Sequence, residues 1–190
     1  MLDVTVVIPS IPPRVGPGGL LDRAVQSALG QTYPATGGFS VALDVNREGA
    51  GRTRDRALRG VRSKWCAFLD DDDTWYPHHL ETLTRLLEDS GADYAYSWFD
   101  GNNPFPMHRG RQMNVLAPHH TTMTVMVRTE LAQEAGFVQP DGPMHQDWSG
   151  EDWQFTLRCI ELGAKFIGTG DITWTYNVHT GNTSGLSNRW

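Results

Sequence analysis

Lysine is almost missing from this chain: two lysines stand against fourteen arginines in 190 residues. Cysteine is as scarce. Cys66 and Cys159 each sit inside an apolar segment, without metal-ligand spacing. That pattern excludes a disulfide scaffold or a thiolate metal site and predicts a reduced, cytoplasmic setting. No apolar run approaches the ~20 residues of a membrane-crossing helix. No charged-then-apolar leader opens the sequence, so neither secretion nor membrane insertion is expected. Positive charge is also short overall: the net charge is -6, which argues against a general binder of nucleic acid. Internal repeats and low-complexity stretches are absent too.

What is present suits one globular core. Hydrophobic residues make up 39% and charged residues 20%, and this length predicts a single domain over 1–190. "DVTVVIPS" (3–10) reads as a buried strand running into the proline-bearing loop "IPPRVGPGG". A helix over 20–31 follows, with Leu21, Val25, Ala28 and Leu29 at helical spacing. Then come a strand (39–45), a helix with a glycine-rich entry (49–61) and a third strand (64–70). Pro77 opens another helix, lined by Leu80, Leu83 and Leu87 and stopped by Gly91. Strands over 93–99 and 121–128, short helices over 129–136 and 151–163, and strand segments within 164–178 complete the pattern. Residues 100–118 and 140–150 read as loops, and 179–190 as a polar tail. Alternating strands and helices predict an α/β fold with a mostly parallel sheet flanked by helices.

Such sheets bind ligands beyond the carboxyl ends of their strands. Pro9, Ser10, Asp44 and the run Asp70–Asp73 all fall just past such ends. In "FLDDDDTWYPHHLE" (68–81), four adjacent carboxylates repel one another unless a cation joins them. If the strand continues through them, Asp70 and Asp72 point one way, Asp71 and Asp73 the other. Two carboxylates on one side suit Mg2+ or Mn2+. An acidic turn capping the helix after Pro77 is the plainer alternative. Basic residues crowd 47–64 (Arg47, Arg52, Arg54, Arg56, Arg59, Arg62, Lys64). Most suit a solvated helix face, and at least one could hold a phosphate.

"VVIPS", "AVQSALGQTYP", "REGAGRTRDRAL", "FLDDDDTWYPHHLE", "GEDWQFTLR" and "TWTYNVHTGNTS" occur in the order seen in glycosyltransferase family 2. The chain resembles that family over 4–184, nearly its whole length. The resemblance implies a GT-A (Rossmann-like) fold with a donor-binding half (1–99) and an acceptor and catalytic half (100–178). It implies a divalent ion, Mn2+ or Mg2+, on Asp70 and Asp72, with Asp71 or Asp73 in support. It also implies a nucleotide-sugar donor, UDP-linked by preference, touched by Pro9, Ser10, Asp44, Arg54, Asp70 and Asp71. The family's acidic cluster after the second strand is thinner here ("LDVNRE"), and its "ARN" reads "TRD", keeping Arg54 but placing Asp55 where asparagine is usual.

"SGEDW" has two compatible readings. Ser149 and Asp152 could form a capping box; by the resemblance, Asp152 is the catalytic base of an inverting transfer. His179 in "YNVHTGNTS" stands where relatives place a third metal ligand, though it could equally be a solvated tail residue. His78, His79, His119 and His120 read as structural or acceptor-facing, and Trp75, Trp98, Trp148 and Trp153 as core or cleft walls. A non-catalytic sugar-nucleotide binder, or a metal-dependent phosphohydrolase or nucleotidyltransferase, is the alternative. No "GxGTR"-like loop follows the first strand, which disfavours the nucleotidyltransferase. The acceptor is open to glycan, lipid, protein, metabolite or modified nucleic acid, with its contacts expected in loops 100–120 and 139–149.

Overall fold

The computed structural model of the chain describes residues 1–101, 124–138, 150–177 and 179. Residues 102–123 and 139–149, with His119, His120, Trp148 and Ser149, lie outside the described residues, as do 178 and 180–190.

β1 (Val4–Ser10) is buried at every position, as its apolar run demands. α1 (Leu20–Leu29), β2 (Phe39–Leu43), α2 (Ala50–Arg59) and β3 (Trp65–Phe68) follow. A two-residue strand, β4 (Thr74–Trp75), precedes α3 (His79–Ser90). β5 (Tyr94–Gly101), β6 (Val125–Arg128), α4 (Thr129–Ala135), α5 (Glu151–Glu161) and β7 (Phe166–Tyr176) complete the order. The sheet runs β2-β1-β3-β6-β5-β7-β4. Five strands point one way, while β6 and β4 run against them. This is the expected α/β architecture with a mostly parallel sheet.

Two cores cover the two faces. One gathers Val7, Leu58, Phe68, Tyr94, Phe137 and Phe155 beneath α2, α4 and α5. The other gathers Ile8, Leu69, Leu80, Leu83, Met126 and Trp174 beneath α1 and α3. α3 buries Leu80, Leu83 and Leu87, the stripe expected from spacing, and Gly91 ends it at φ 65. That left-handed turn carries no penalty in a residue without Cβ. Trp75, Trp98 and Trp153 are buried core residues. So is His79, whose Nδ1 meets Thr173 Oγ1 at 2.6 Å and whose ring stacks on Trp75. Burial pushes its pKa down to about 3, so it stays neutral. Cys66 and Cys159 are free and fully buried, and no described helix is long and apolar enough to cross a membrane.

Two expectations need correction. β4 has no counterpart in the sequence reading: two residues show no period, and the strand exists because Thr74 and Trp75 pair with Thr175 and Trp174 of β7. β3 also ends at Phe68, so the aspartates do not continue it. Leu69 donates to Val7 O, and the chain then turns, with Asp73 N–H donating to Asp70 O at 3.1 Å. Four mutually repelling carboxylates are more easily spread around a turn than along a ladder.

Candidate active site

The aspartate turn lies beyond the carboxyl ends of β1, β2 and β3, clamped from two sides. On the β1 side, Ser10 Oγ donates to Asp71 Oδ2 at 2.5 Å. Arg14 follows in the single 3-10 turn Pro12–Arg14, and its Nη1 donates to Asp71 Oδ1 at 2.5 Å and reaches Asp72 Oδ2 at 3.1 Å. On the other side the chain leaving β7 grips the turn. Asn177 N–H donates to Asp73 Oδ1 at 2.9 Å, and its side-chain amide donates to Asp72 O at 2.9 Å. That grip carries His179 to the turn, with Nε2 3.1 Å from Asp72 Oδ2.

Burial alternates as a strand would have arranged it, although the backbone turns. Asp71 and Asp73 are 3% and 2% exposed, whereas the Asp70 and Asp72 side chains keep 34% and 13%. Burial raises Asp71 to about 6 against the pull of Arg14 and Ser10. It also raises Asp72, with the Asp70 charge adding to the effect and Arg14 opposing it. Asp73 is pushed well up by burial, then by Asp70 and Asp72. Burial is the leading cause for all three, so a nearby positive charge would favour their ionised forms.

A second cation anchors the far end. Arg54, on α2, is buried; its Nη2 donates to Asp70 Oδ1 at 2.6 Å and its Nη1 to Glu151 Oε1 at 3.3 Å. The guanidinium lies over the Phe137 ring, 5.3 Å from its centre. Burial opposes its charge, but Asp70 and Glu151 more than hold it on. Glu151 and Asp152 form the first turn of α5, after Gly150 at the cap position. Gly150 offers no side-chain cap, and Asp152 Oδ1 accepts from Trp153 N–H at 2.7 Å; Ser149, the other half of the expected capping box, lies outside the described residues. A Cβ on Gly150 would stand 2.6 Å from that oxygen, so the bare glycine makes room for the carboxylate. Loss of water, then repulsion from Glu151, raises Asp152 to about 7, while the Trp153 N–H and Arg54 pull it down.

The remaining candidates are more local. Pro9 is the penultimate residue of β1, not part of a loop. Val7 O faces β3, so Pro9 N, two residues on, faces the side where β3 has already left the sheet. No ladder bond is lost there. Asp44 is 3% exposed, and its two oxygens accept from the N–H groups of Glu48 and Gly49, each at 2.8 Å. It orders the turn into α2. Asp55 accepts from Phe137 N–H and Arg59, holding the exit of α4.

The structure thus unites Ser10, Asp71, Asp72 and His179 in one network and Arg54, Asp70, Glu151 and Asp152 in a second beside it. Asp70 is turned toward Arg54 and not toward His179. Arg14, Gly150 and Asn177 went unassigned in the sequence. Arg14 had a signal, as an arginine just past a strand end; Asn177 had none without the pairing of β4 with β7.

A hard divalent ion fits these donors. Asp72 and His179 offer a carboxylate and an imidazole at one point, a set that suits Mn2+. Among the described residues no group of three or more Asp, Glu, His or Cys side chains is placed to hold a metal ion. An ion shared with a substrate diphosphate needs only one or two protein carboxylates.

The profile of the family described as "Glycosyl transferase family 2" matches residues 23–145. The chain belongs to that family. It is 27% identical over 194 residues to "Succinoglycan biosynthesis protein ExoW" of Rhizobium meliloti (strain 1021), covering 88% of this chain and 57% of ExoW. Among solved structures it resembles S. aureus TarS 1-349 in complex with UDP-GlcNAc, with TM-score 0.74, 16% identity, and coverage of 95% of this chain and 60% of that one. It also resembles mannosyltransferase PcManGT from Pyrobaculum calidifontis in complex with GDP-Man and Mn2+, with TM-score 0.65, 14% identity, and coverage of 94% and 58%. The fold of this family member is GT-A. It spans about three-fifths of the length of these relatives.

Proposed function

We infer that this family 2 domain transfers a sugar from a nucleoside-diphosphate sugar to an acceptor hydroxyl by a single inverting displacement. Arg54 carries most of the weight. By bonding Asp70 and Glu151 at once, it joins the aspartate turn to the helix end that bears Asp152. A donor held at the turn would then present its sugar to that carboxylate.

Asp152 takes the proton from the acceptor hydroxyl. Its pKa of about 7 suits a base working near neutrality, strong enough to accept a proton and still ionised in a substantial fraction of molecules. Gly150 and the Trp153 N–H fix its orientation. Asp72 and His179, with Asp70 adjacent, would hold Mn2+ or Mg2+, which when bound supplies positive charge to the departing diphosphate. Ser10 and Arg14 hold Asp71, and Asn177 holds Asp73, so the turn keeps its shape. A UDP-sugar is the preferred donor, in line with TarS bound to UDP-GlcNAc; the GDP-Man bound to PcManGT makes GDP-sugars the main competitor. Pro9 and Asp44 border the donor end through the backbone they shape.

Incubation with UDP-, GDP- and dTDP-sugars and a panel of acceptors, read as released nucleoside diphosphate, tests the assignment. Release should stop with EDTA and return with Mn2+ or Mg2+. A nucleotide-sugar that shifts the melting temperature but is never turned over would make the domain a binding module instead.

A further inference from the structure

Arg14 Nη1 and His179 Nε2 approach the same atom, Asp72 Oδ2, each at 3.1 Å. That oxygen is the one that an ion held by Asp72 and His179 would take. Arg14 therefore already supplies positive charge where the ion's charge would go. Its side chain is 10% exposed, yet no residue of its turn is buried. Gly16 and Gly18 follow at positive φ, with nothing within 4 Å of where a Cβ would stand. The arginine is held at the cluster by its charge partners more than by packing of its backbone. Among the described residues, Arg14 and Arg54 are the arginines paired with the aspartate turn, and Arg54 is shared with Glu151.

The geometry points to Arg14 as a tethered counter-cation that competes with the divalent ion for Asp72. The ion is then held tightly only once a diphosphate draws the guanidinium away. This rests on Asp72 and His179 as ion ligands. A guanidinium suits the new partner, since its fork matches phosphate oxygens as well as carboxylate oxygens. Asp71, bonded to both Ser10 and Arg14, keeps the arginine within reach. Ion and diphosphate would thus bind cooperatively, since each removes an obstacle to the other.

Mn2+ binding to the full chain, followed by loss of the free-ion signal in electron paramagnetic resonance, tests this without turnover. Arg14→Gln should bind Mn2+ alone about tenfold more tightly than wild type, because a unit charge a few Å from a dication repels it strongly. Arg14→Lys, which keeps the charge, should stay near wild type. Saturating UDP or GDP should tighten Mn2+ binding to wild type by a larger factor than it does in Arg14→Gln.

Equal Mn2+ affinity in wild type and Arg14→Gln, both abolished by Asp72→Asn, overturns the role of Arg14 and leaves the ion site standing. Absence of Mn2+ binding to every protein, with or without UDP or GDP, overturns the ion site itself. Where Arg14→Gln is too unstable to titrate, melting decides. Competition requires Mn2+ to raise its Tm by more than it raises that of wild type, and an equal rise overturns the proposal.

Discussion

Arg54 and Asp70 face each other across 2.6 Å, with the arginine side chain only 3% exposed. A guanidinium so far from water persists only with close partners, and Glu151 is the second. Removing the arginine leaves two carboxylates beside a buried space. Breaking a buried pair costs about 3 kcal/mol or more. Arg54→Ala should therefore melt roughly 10 °C lower, since each kcal/mol is worth a few degrees at this size. Arg54→Lys keeps the charge but loses the fork that spans both acids, so calorimetry should place it between the two.

Asp152 gives a pH signature. The carboxylate works ionised, so the rate should rise with pH through a midpoint near the raised value of about 7. Asp152→Asn should lose turnover by about a hundredfold or more, the scale of general-base assistance, while donor affinity survives. Initial rates at saturating donor, from pH 5 to 9, check both. Unchanged turnover in the variant would remove Asp152 from its role.

The same group links stability to pH in the opposite sense. Its folded pKa lies above the ordinary 3.8, so its stabilising contribution is complete below about pH 4 and is lost as pH rises through about 7. Asparagine carries no such penalty. The Tm advantage of Asp152→Asn over wild type should be larger at pH 8 than at pH 5. Equal differences at the two pH values would show that Asp152 is not desolvated.

Gly150→Ala would place a methyl group 2.6 Å from Asp152 Oδ1. Its backbone angles, φ -55 and ψ 150, accept alanine, so the fold should tolerate the change. The carboxylate must move, and kcat should fall with little change in donor affinity. A wild-type kcat in a folded variant would show that the carboxylate's position at this helix end is not critical.

The two thiols should be inert in the native protein. Cys66 and Cys159 are fully buried, and burial pushes each up to about 12, leaving almost no thiolate at neutral pH. A disulfide reagent should react with neither until denaturant is added, and then with both.

Local patterns carried most of the architecture. The apolar runs of β1 and β3, the leucine stripe of α3 and its stop at Gly91 could be read directly, because burial imposes periods of two and 3.6 on neighbouring residues. β4 could not, since a two-residue strand exists only through its partner. The aspartates were conspicuous, but their counter-charges were not. Arg54 was one of seven basic residues in a short stretch, and nothing local shows that it alone is buried between two acids. Arg14 lies 57 positions from Asp71, beyond any spacing rule.

By itself the sequence determined the α/β class, the family and which residue types could do the chemistry, because these follow from composition, period and ordered motifs. Only the tertiary structure decided which charge faces which: Arg14 on Asp71 and Asp72, Arg54 on Asp70 and Glu151, His179 brought in by Asn177. Opposite charges attract through space, and the folded sheet sets those distances by bringing together segments that the chain keeps far apart.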